Sequence, residues 1–215
     1  MKRSECEFVF GGTFDPVHLG HLEIVKSIGE LAPSCKIRLL PCAIPALKGK
    51  PQTSFQHRVN MLSLVAKDYP NVSIDQREFK RCEKSYTLDT LVELQRESSN
   101  KLNVFVMGAD SLATFESWYR WQEINQFCHL LIFNRADNND YQLDKLVAAA
   151  GFSLVDHLED LTSKASGLAL LHTMPDMPQA SSEIRKAIQA GIGLDSLLPQ
   201  SVIEYISRNH LYESE

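Results

Sequence analysis

Apolar residues along this chain fall into short unbroken runs separated by longer amphipathic stretches. Six runs read as strands: Phe8–Phe10, Ile37–Leu40, Val72–Ile74, Val104–Met107, Leu130–Phe133 and Leu168–Leu171. Most lack the alternation of a half-exposed strand, which is how strands buried on both faces read. Helical periods lie between them. Leu22, Val25 and Ile28 share one face after the first run, with Ile24 and Leu31 beside them. Ser54–Lys67 begins with a serine suited to capping and repeats Phe55, Val59, Leu62 and Val65 at helical spacing. Thr87–Arg96 carries Leu88, Leu91, Val92 and Leu94; Ile184, Ala187 and Ile188 form a last run that Gly191 stops. This alternation predicts an α/β fold, a doubly wound parallel sheet with helices on both faces and a small C-terminal helical part. No Pro/Gly-rich linker or repeat divides the chain, so 1–215 reads as a single domain, with 181–215 as a C-terminal helical subregion. Asn134–Asp140 is polar and reads as a surface loop; Asp156–Gly167 has no clear period.

In such a sheet, ligands bind beyond the carboxyl ends of the strands, where strand order reverses. The distinctive residues fall there. Gly11–His21 follows the first strand, Pro41–Lys50 the second, Gly108–Asp110 the fourth and Asn134-Arg135 the fifth. Gly11-Gly12-Thr13-Phe14-Asp15-Pro16-Val17-His18-Leu19-Gly20-His21 is the most informative. A strand, a glycine turn and a helix start form a junction where backbone N–H groups and the positive helix end face an anion. His18 and His21 lie at that junction, so both rings can lean into one pocket. Imidazole can hydrogen-bond a phosphoryl oxygen and, when protonated, offset charge that develops in phosphoryl transfer. The segment lacks the lysine of a Walker loop and the spacing of GxGxxG, and no HExxH or CxxC supplies further zinc ligands. A tight turn with two incidental histidines is the competing reading. Asp110 reads either as a helix cap or as a carboxylate for vicinal ribose hydroxyls. Phe115, Trp118 and Trp121, at helical spacing, read as core. Ser181, Ser182 and Arg185 open the last run either as an ordinary serine cap or as an anion site, since cations otherwise avoid a helix start.

Composition narrows the classes. A chain of 215 residues with 44% hydrophobic residues can bury a substantial core. A net charge of −5 gives no support for nucleic-acid binding. No apolar run approaches the length of a membrane span, and the three apolar residues after the acidic start are too few for a signal peptide. Five scattered cysteines (Cys6, Cys35, Cys42, Cys82, Cys128) suggest reduced thiols and a cytoplasmic setting.

The residues resemble a family. Gly11–Leu22 is similar to the HxGH motif of the nucleotidyltransferase superfamily, in the longer form of bacterial nicotinate-nucleotide adenylyltransferases. Ser85-Tyr86-Thr87-Leu88-Asp89-Thr90-Leu91 resembles that family's SYTxxTL. Gly108-Ala109-Asp110-Ser111 with Phe115, Trp118 and Tyr119 resembles GxDSxxxFxxWY, and Ser181-Ser182-Glu183-Ile184-Arg185 resembles SSTxIR. Pro199, Val202, Tyr205, Ile206 and Leu211-Tyr212 fit the closing pattern, so the resemblance spans nearly the whole chain in the right order.

The resemblance implies a Rossmann-like fold and adenylyl transfer from ATP to nicotinate mononucleotide. His18 and His21 would be catalytic, holding the α- and β-phosphoryl oxygens. Gly11, Gly12, Thr13, Phe14, Gly108, Asp110, Ser181, Ser182 and Arg185 would bind ATP, Asp110 at the ribose and Ser182 with Arg185 at the β- and γ-phosphates. Lys48, Thr87, Trp118, Tyr119 and Arg135 would bind the mononucleotide, the Trp118-Tyr119 pair against the pyridine ring and its carboxylate. No residue is implied as a metal ligand, because Mg²⁺ is expected on substrate phosphates and water. ATP and the mononucleotide are the expected partners, and a homodimer is left open. One departure stands out: the family reads PPH before Lys or Arg, whereas this chain reads Pro45-Ala46-Leu47-Lys48. Lys48, Lys50 or His57 are the candidates to replace the histidine that Leu47 displaces. The alternatives are a nicotinamide mononucleotide or other phosphate acceptor, and a non-catalytic nucleotide sensor. A class I synthetase would need a KMSKS-like loop, which the chain lacks.

Overall fold

The computed structural model describes residues 6–47, 49–98, 101–135, 142–174 and 180–213. The first half runs β1 (Cys6–Gly12), α1 (Leu19–Leu31), β2 (Lys36–Pro41), α2 (Phe55–Ala66), β3 (Val72–Ile74), α3 (Arg77–Arg81) and α4 (Thr87–Glu97). Next come β4 (Leu102–Gly108), α5 (Ala109–Leu112), α6 (Trp121–Ile124) and β5 (His129–Arg135). The chain continues through α7 (Leu143–Ala149), β6 (Ser153–Val155), β7 (Leu168–Met174), α8 (Ser181–Gln189) and α9 (Gln200–Arg208).

The strands form one sheet in the order β3-β2-β1-β4-β5-β7-β6. Every pairing between neighbours is parallel. The chain leaves β1 towards β3 on one side and returns to place β4 on the other, so strand order reverses between β1 and β4. All six strands read from the sequence are present. The seventh, β6, is an addition: Ser153 and Leu154 are exposed at the sheet's edge, so no buried run announces it. The stretch after it, unassigned from sequence, contains a 3-10 helix at Leu158–Ser163.

Alternate strand residues feed two cores, as the period of two requires. Phe8, Ile37, Val104, Leu131 and Leu170 face α1, α2, α8 and α9, meeting Val25, Ile28, Leu62, Ile184, Val202 and Ile206. Val9, Leu40, Phe105, Leu130, Ile132 and Ala169 meet Leu88, Leu91, Leu112, Ile124 and Val147 from α4 to α7. Helices therefore cover both faces of a Rossmann-like sheet. The C-terminal helices are tied in by polar contacts too. Tyr205 of α9 bonds His57 Nδ1 at 2.9 Å and accepts from Asn60 Nδ2 at 2.8 Å, both on α2. Ser54 caps α2 as expected, accepting the His57 N–H at 3.2 Å. All five cysteines are free thiols, and among the described residues no helix is long and apolar enough to cross a membrane.

One buried group at the amino end of the sheet makes stability depend on pH. His129 is fully buried, its Nδ1 accepts the Leu168 N–H at 3.2 Å, and burial pushes its pKa down to about 4. The folded state thus holds a neutral ring where the unfolded chain protonates near pH 6.5, so stability present above that pH is lost as the pH falls through 4. Urea unfolding of wild type and His129→Gln over this range should show wild type losing up to about 3 kcal/mol more than the variant at the acid end. Parallel pH profiles would contradict the assignment.

Candidate active site

A cavity of about 760 Å³ opens over the carboxyl edge of the sheet at the β1/β4 reversal. Phe10, Phe105, Val106 and Met107 give it an apolar floor, and Phe133 with Asn134 closes the β5 side. Gly11, Gly12, Thr13, Phe14, His18, His21, Gly108, Asp110, Trp118, Ser181, Ser182 and Arg185 all line it. Residues scattered over much of the chain thus share one wall.

The histidines owe their placing to a strained turn. Phe14 takes a left-handed φ of 51°, and its buried ring stands edge-on to Phe10 and to His21, with centroids 5.5 and 4.9 Å away. A Cβ on Gly12 would lie 2.9 Å from that ring, which explains the glycine. His18 ends the turn as the cap of α1, and its backbone N–H donates to His21 Nδ1 at 3.3 Å. That bond requires an unprotonated Nδ1, so the neutral ring carries its hydrogen on Nε2. The two imidazoles lie with centroids 3.7 Å apart and planes tilted by 33°. The arrangement is two ring edges presented side by side at a helix start, suited to phosphoryl oxygens.

Asp15, inside the turn, is 2% exposed and binds three separate parts of the chain. Its Oδ2 accepts the Gln52 N–H at 2.8 Å. Its Oδ1 accepts the Thr53 N–H at 3.3 Å, the Thr53 hydroxyl at 3.0 Å and the Tyr212 hydroxyl at 2.8 Å. Arg185 donates to the Asp15 carbonyl at 2.7 Å and lies 3.8 Å from its carboxylate. Burial and the Asp15 carboxylate push the Tyr212 phenol pKa upward, so it remains a donor. Arg58, 1% exposed, completes the clamp: its Nη1 donates to the carbonyls of Thr13 and Cys42, both at 2.7 Å. Burial lowers its pKa, and the Asp15 carboxylate opposes that shift.

Several sequence readings change at this level. Asp110 is not the cap of α5; Gly108 is, and the Asp110 carboxylate folds back against it where a Cβ would sit. Nor does a serine cap α8: Ala180 takes that place, and the Ser181 hydroxyl donates to the Pro16 carbonyl at 3.2 Å. Both serines are thereby offered to the cavity as first-turn residues. Trp118 lines the cavity while packing on Phe115 and Phe105, so it is core and wall together. Its backbone N–H is taken by the Phe115 carbonyl at 2.9 Å. Tyr119 and Thr87 are not among the lining residues; Tyr119 packs at a tilt against Tyr86, centroids 4.4 Å apart. His57 is likewise off the wall, turned to Tyr205. Lys48 lies outside the described residues, and of Arg135 only the backbone, ending β5, is described.

Comparison with known proteins agrees with this fold. The cytidylyltransferase-like family model matches residues 9–187. A nicotinate-nucleotide adenylyltransferase of Escherichia coli O157:H7 is 35% identical over 209 residues, covering 95% of this chain and 97% of that protein. A Hahella chejuensis protein named "Probable nicotinate-nucleotide adenylyltransferase" is 35% identical over 217 residues, covering 99% and 98%. The chain belongs to the nicotinate-nucleotide adenylyltransferase family. Its fold is also that of a Plasmodium falciparum nicotinic acid mononucleotide adenylyltransferase solved with NaAD, at a TM-score of 0.74, 19% identity and 97% coverage of both chains. As a family member it is an enzyme, a nucleotidyltransferase of NAD biosynthesis.

In this adenylyltransferase-family enzyme the residues that hold the site together are the ones sequence reasoning passed over. Asp15 sat unremarked inside the motif, and Tyr212 entered only as part of a closing pattern. Arg58 had a signal: it lies four and seven positions before Leu62 and Val65, on the buried face of α2. An Asp15→Asn replacement would turn one carboxylate oxygen into an N–H₂ donor facing other donors and remove the charge opposite Arg58 and Arg185. Denaturant unfolding should show a loss of about 3 kcal/mol, against about 1 kcal/mol for Tyr212→Phe. An Asp15→Asn variant within 1 kcal/mol of wild type on that scale would contradict the role given to this carboxylate.

Proposed function

We propose that this enzyme transfers the adenylyl group of ATP to nicotinate mononucleotide, forming nicotinate adenine dinucleotide and pyrophosphate. The observation that carries the reading is the close His18–His21 pair sharing one cavity with the first turn of α8 and with the indole of Trp118. A phosphate oxygen of the mononucleotide attacks the α-phosphorus of ATP. A new P–O–P bridge forms, the bond from the α-phosphorus to the β-bridging oxygen breaks, and pyrophosphate takes the electron pair. The attacking phosphate is already anionic near neutral pH, so no protein nucleophile or base is needed. What remains for the chain is positioning and charge stabilisation.

His18 and His21 act as donors to the α- and β-phosphoryl oxygens, and the Thr13-Phe14 turn fixes the phosphate chain. Ser182 and Arg185 hold the departing pyrophosphate, Arg185 being oriented by its bond to the Asp15 carbonyl. Asp110, beside Gly108 at the end of β4, accepts from the ribose hydroxyls. An electron-poor pyridine ring stacks on Trp118, the member of the Trp118-Tyr119 pair that lines the cavity. Asp15 is already filled by N–H and O–H donors, and no three His, Cys, Asp or Glu side chains converge among the described residues. A Mg²⁺ ion carried by substrate phosphates and water would offset phosphate charge there.

The test is pyrophosphate release from Mg-ATP with nicotinate mononucleotide, nicotinamide mononucleotide or phosphopantetheine offered in parallel. The nicotinate substrate should be strongly preferred, and His18→Ala or His21→Ala should lower kcat on the order of 10²–10³. Wild-type turnover in either variant would remove the histidines from the reaction. Preference for another acceptor would overturn the role of Trp118.

A further inference from the structure

We propose that Lys50 is a phosphate-binding residue of this active site, supplying the positive charge that position 47 does not. The proposal rests on the nucleotidyl-transfer reading above. Among the described residues the cavity wall carries two Lys or Arg side chains, Lys50 and Arg185, against two acids, Asp15 and Asp110. Arg185 is already bonded to the Asp15 carbonyl and paired with its carboxylate. Lys50 has no ion-pair or hydrogen-bond partner among the described residues. Arg185 is thus oriented by the protein before any ligand binds, whereas the Lys50 ammonium is uncommitted.

The loop that displays Lys50 is held at both ends. At its start, Arg58 donates to the carbonyls of Cys42 and Ala43, and the Ser85 hydroxyl accepts the N–H groups of Ala43 and Ile44. At its close, Asp15 accepts from Gln52 and Thr53, immediately before Ser54 caps α2. Gly49 and Pro51 line the cavity on either side of Lys50. Pinning the loop before a ligand arrives lowers the ordering cost of the contact, and the four-carbon stem gives the ammonium reach.

Of the other residues named for this role, Lys48 lies outside the described residues, and those that are described stand off the wall. Leu47 is 60% exposed, uncharged and off the wall; His57 is turned to Tyr205. Bringing a phosphate monoester against a triphosphate sets like charges together, and two acids on the same wall add to the repulsion. An unpaired ammonium there offsets it. The group recognised is a phosphate oxyanion, which either the acceptor or ATP could present.

The test compares wild type, Lys50→Ala and Lys50→Arg by steady-state pyrophosphate release, with ATP and nicotinate mononucleotide varied in turn. Lys50→Ala should raise KM for one substrate about tenfold, with kcat within about threefold, the scale of one charge-assisted contact on a partly exposed wall. Lys50→Arg should restore KM, and the Lys50→Ala effect should shrink as salt rises. A rise confined to the mononucleotide assigns its phosphate to Lys50; one confined to ATP assigns the triphosphate; either supports the proposal. Unchanged KM for both substrates would overturn it, as would failure of arginine to rescue. Should wild type release no pyrophosphate with any acceptor, the functional reading fails separately. Lys50 is then judged by calorimetric titration with Mg-ATP and with inorganic pyrophosphate. About tenfold weaker binding of either to Lys50→Ala supports the cation role, and equal affinity for both refutes it.

Discussion

A single buried carboxylate organises the candidate active site of this protein. Asp15 joins the histidine turn to the segment that opens α2, to the last turn of the chain through Tyr212, and to Arg185 at the start of α8. Leaving a carboxylate in so dry a place is costly unless donors surround it. Here the donors are the segments that must converge for the cavity to have walls. Removing any one leaves charge uncompensated, so the site and the C-terminal helices stand or fall together. Arg58 works from the other side, holding the carbonyls of Thr13 and Cys42 and so fixing the ends of β1 and β2 against each other.

The sheet supplies what the clamp cannot, a rigid edge where two windings part. Strand order reverses between β1 and β4, and the loops leaving those strands diverge to opposite faces. The gap between them is the cavity. A turn with Phe14 in a left-handed conformation, braced by Phe10, aims the imidazoles into it. Catalysis by positioning demands this kind of construction, because donors fixed before the substrate arrives need no reorganisation when charge moves.

Much of this was legible in the sequence, and the remainder has a common physical cause. Strands β1, β2, β4, β5 and β7 announced themselves as apolar runs because both faces of each are covered, while the edge strand β3, with Ser73 exposed, showed only through Val72 and Ile74. Strand β6 did not, since an edge strand with exposed Ser153 and Leu154 leaves no such trace. His18 and His21 were readable because the turn, the cap and both rings lie within one short stretch. Asp15 and Tyr212 are 197 positions apart, and nothing local to either marks the bond between them. The caps misled for a related reason. Asp110 and Ser181 are good capping residues by type, yet each sits one or two positions into its helix, where the carboxylate turns back on Gly108 and the hydroxyl reaches the Pro16 carbonyl. Local propensity was overridden by long-range contacts.

The central claim is that the histidines stabilise charge without forming a bond to the adenylyl group. The stereochemical course at the α-phosphorus tests it most directly, using ATP made chiral there by one sulfur for oxygen and nicotinate mononucleotide as acceptor. A single in-line displacement by the acceptor phosphate predicts inversion of configuration. Retention would mean two displacements through a covalent nucleotidyl-enzyme, and would contradict the account.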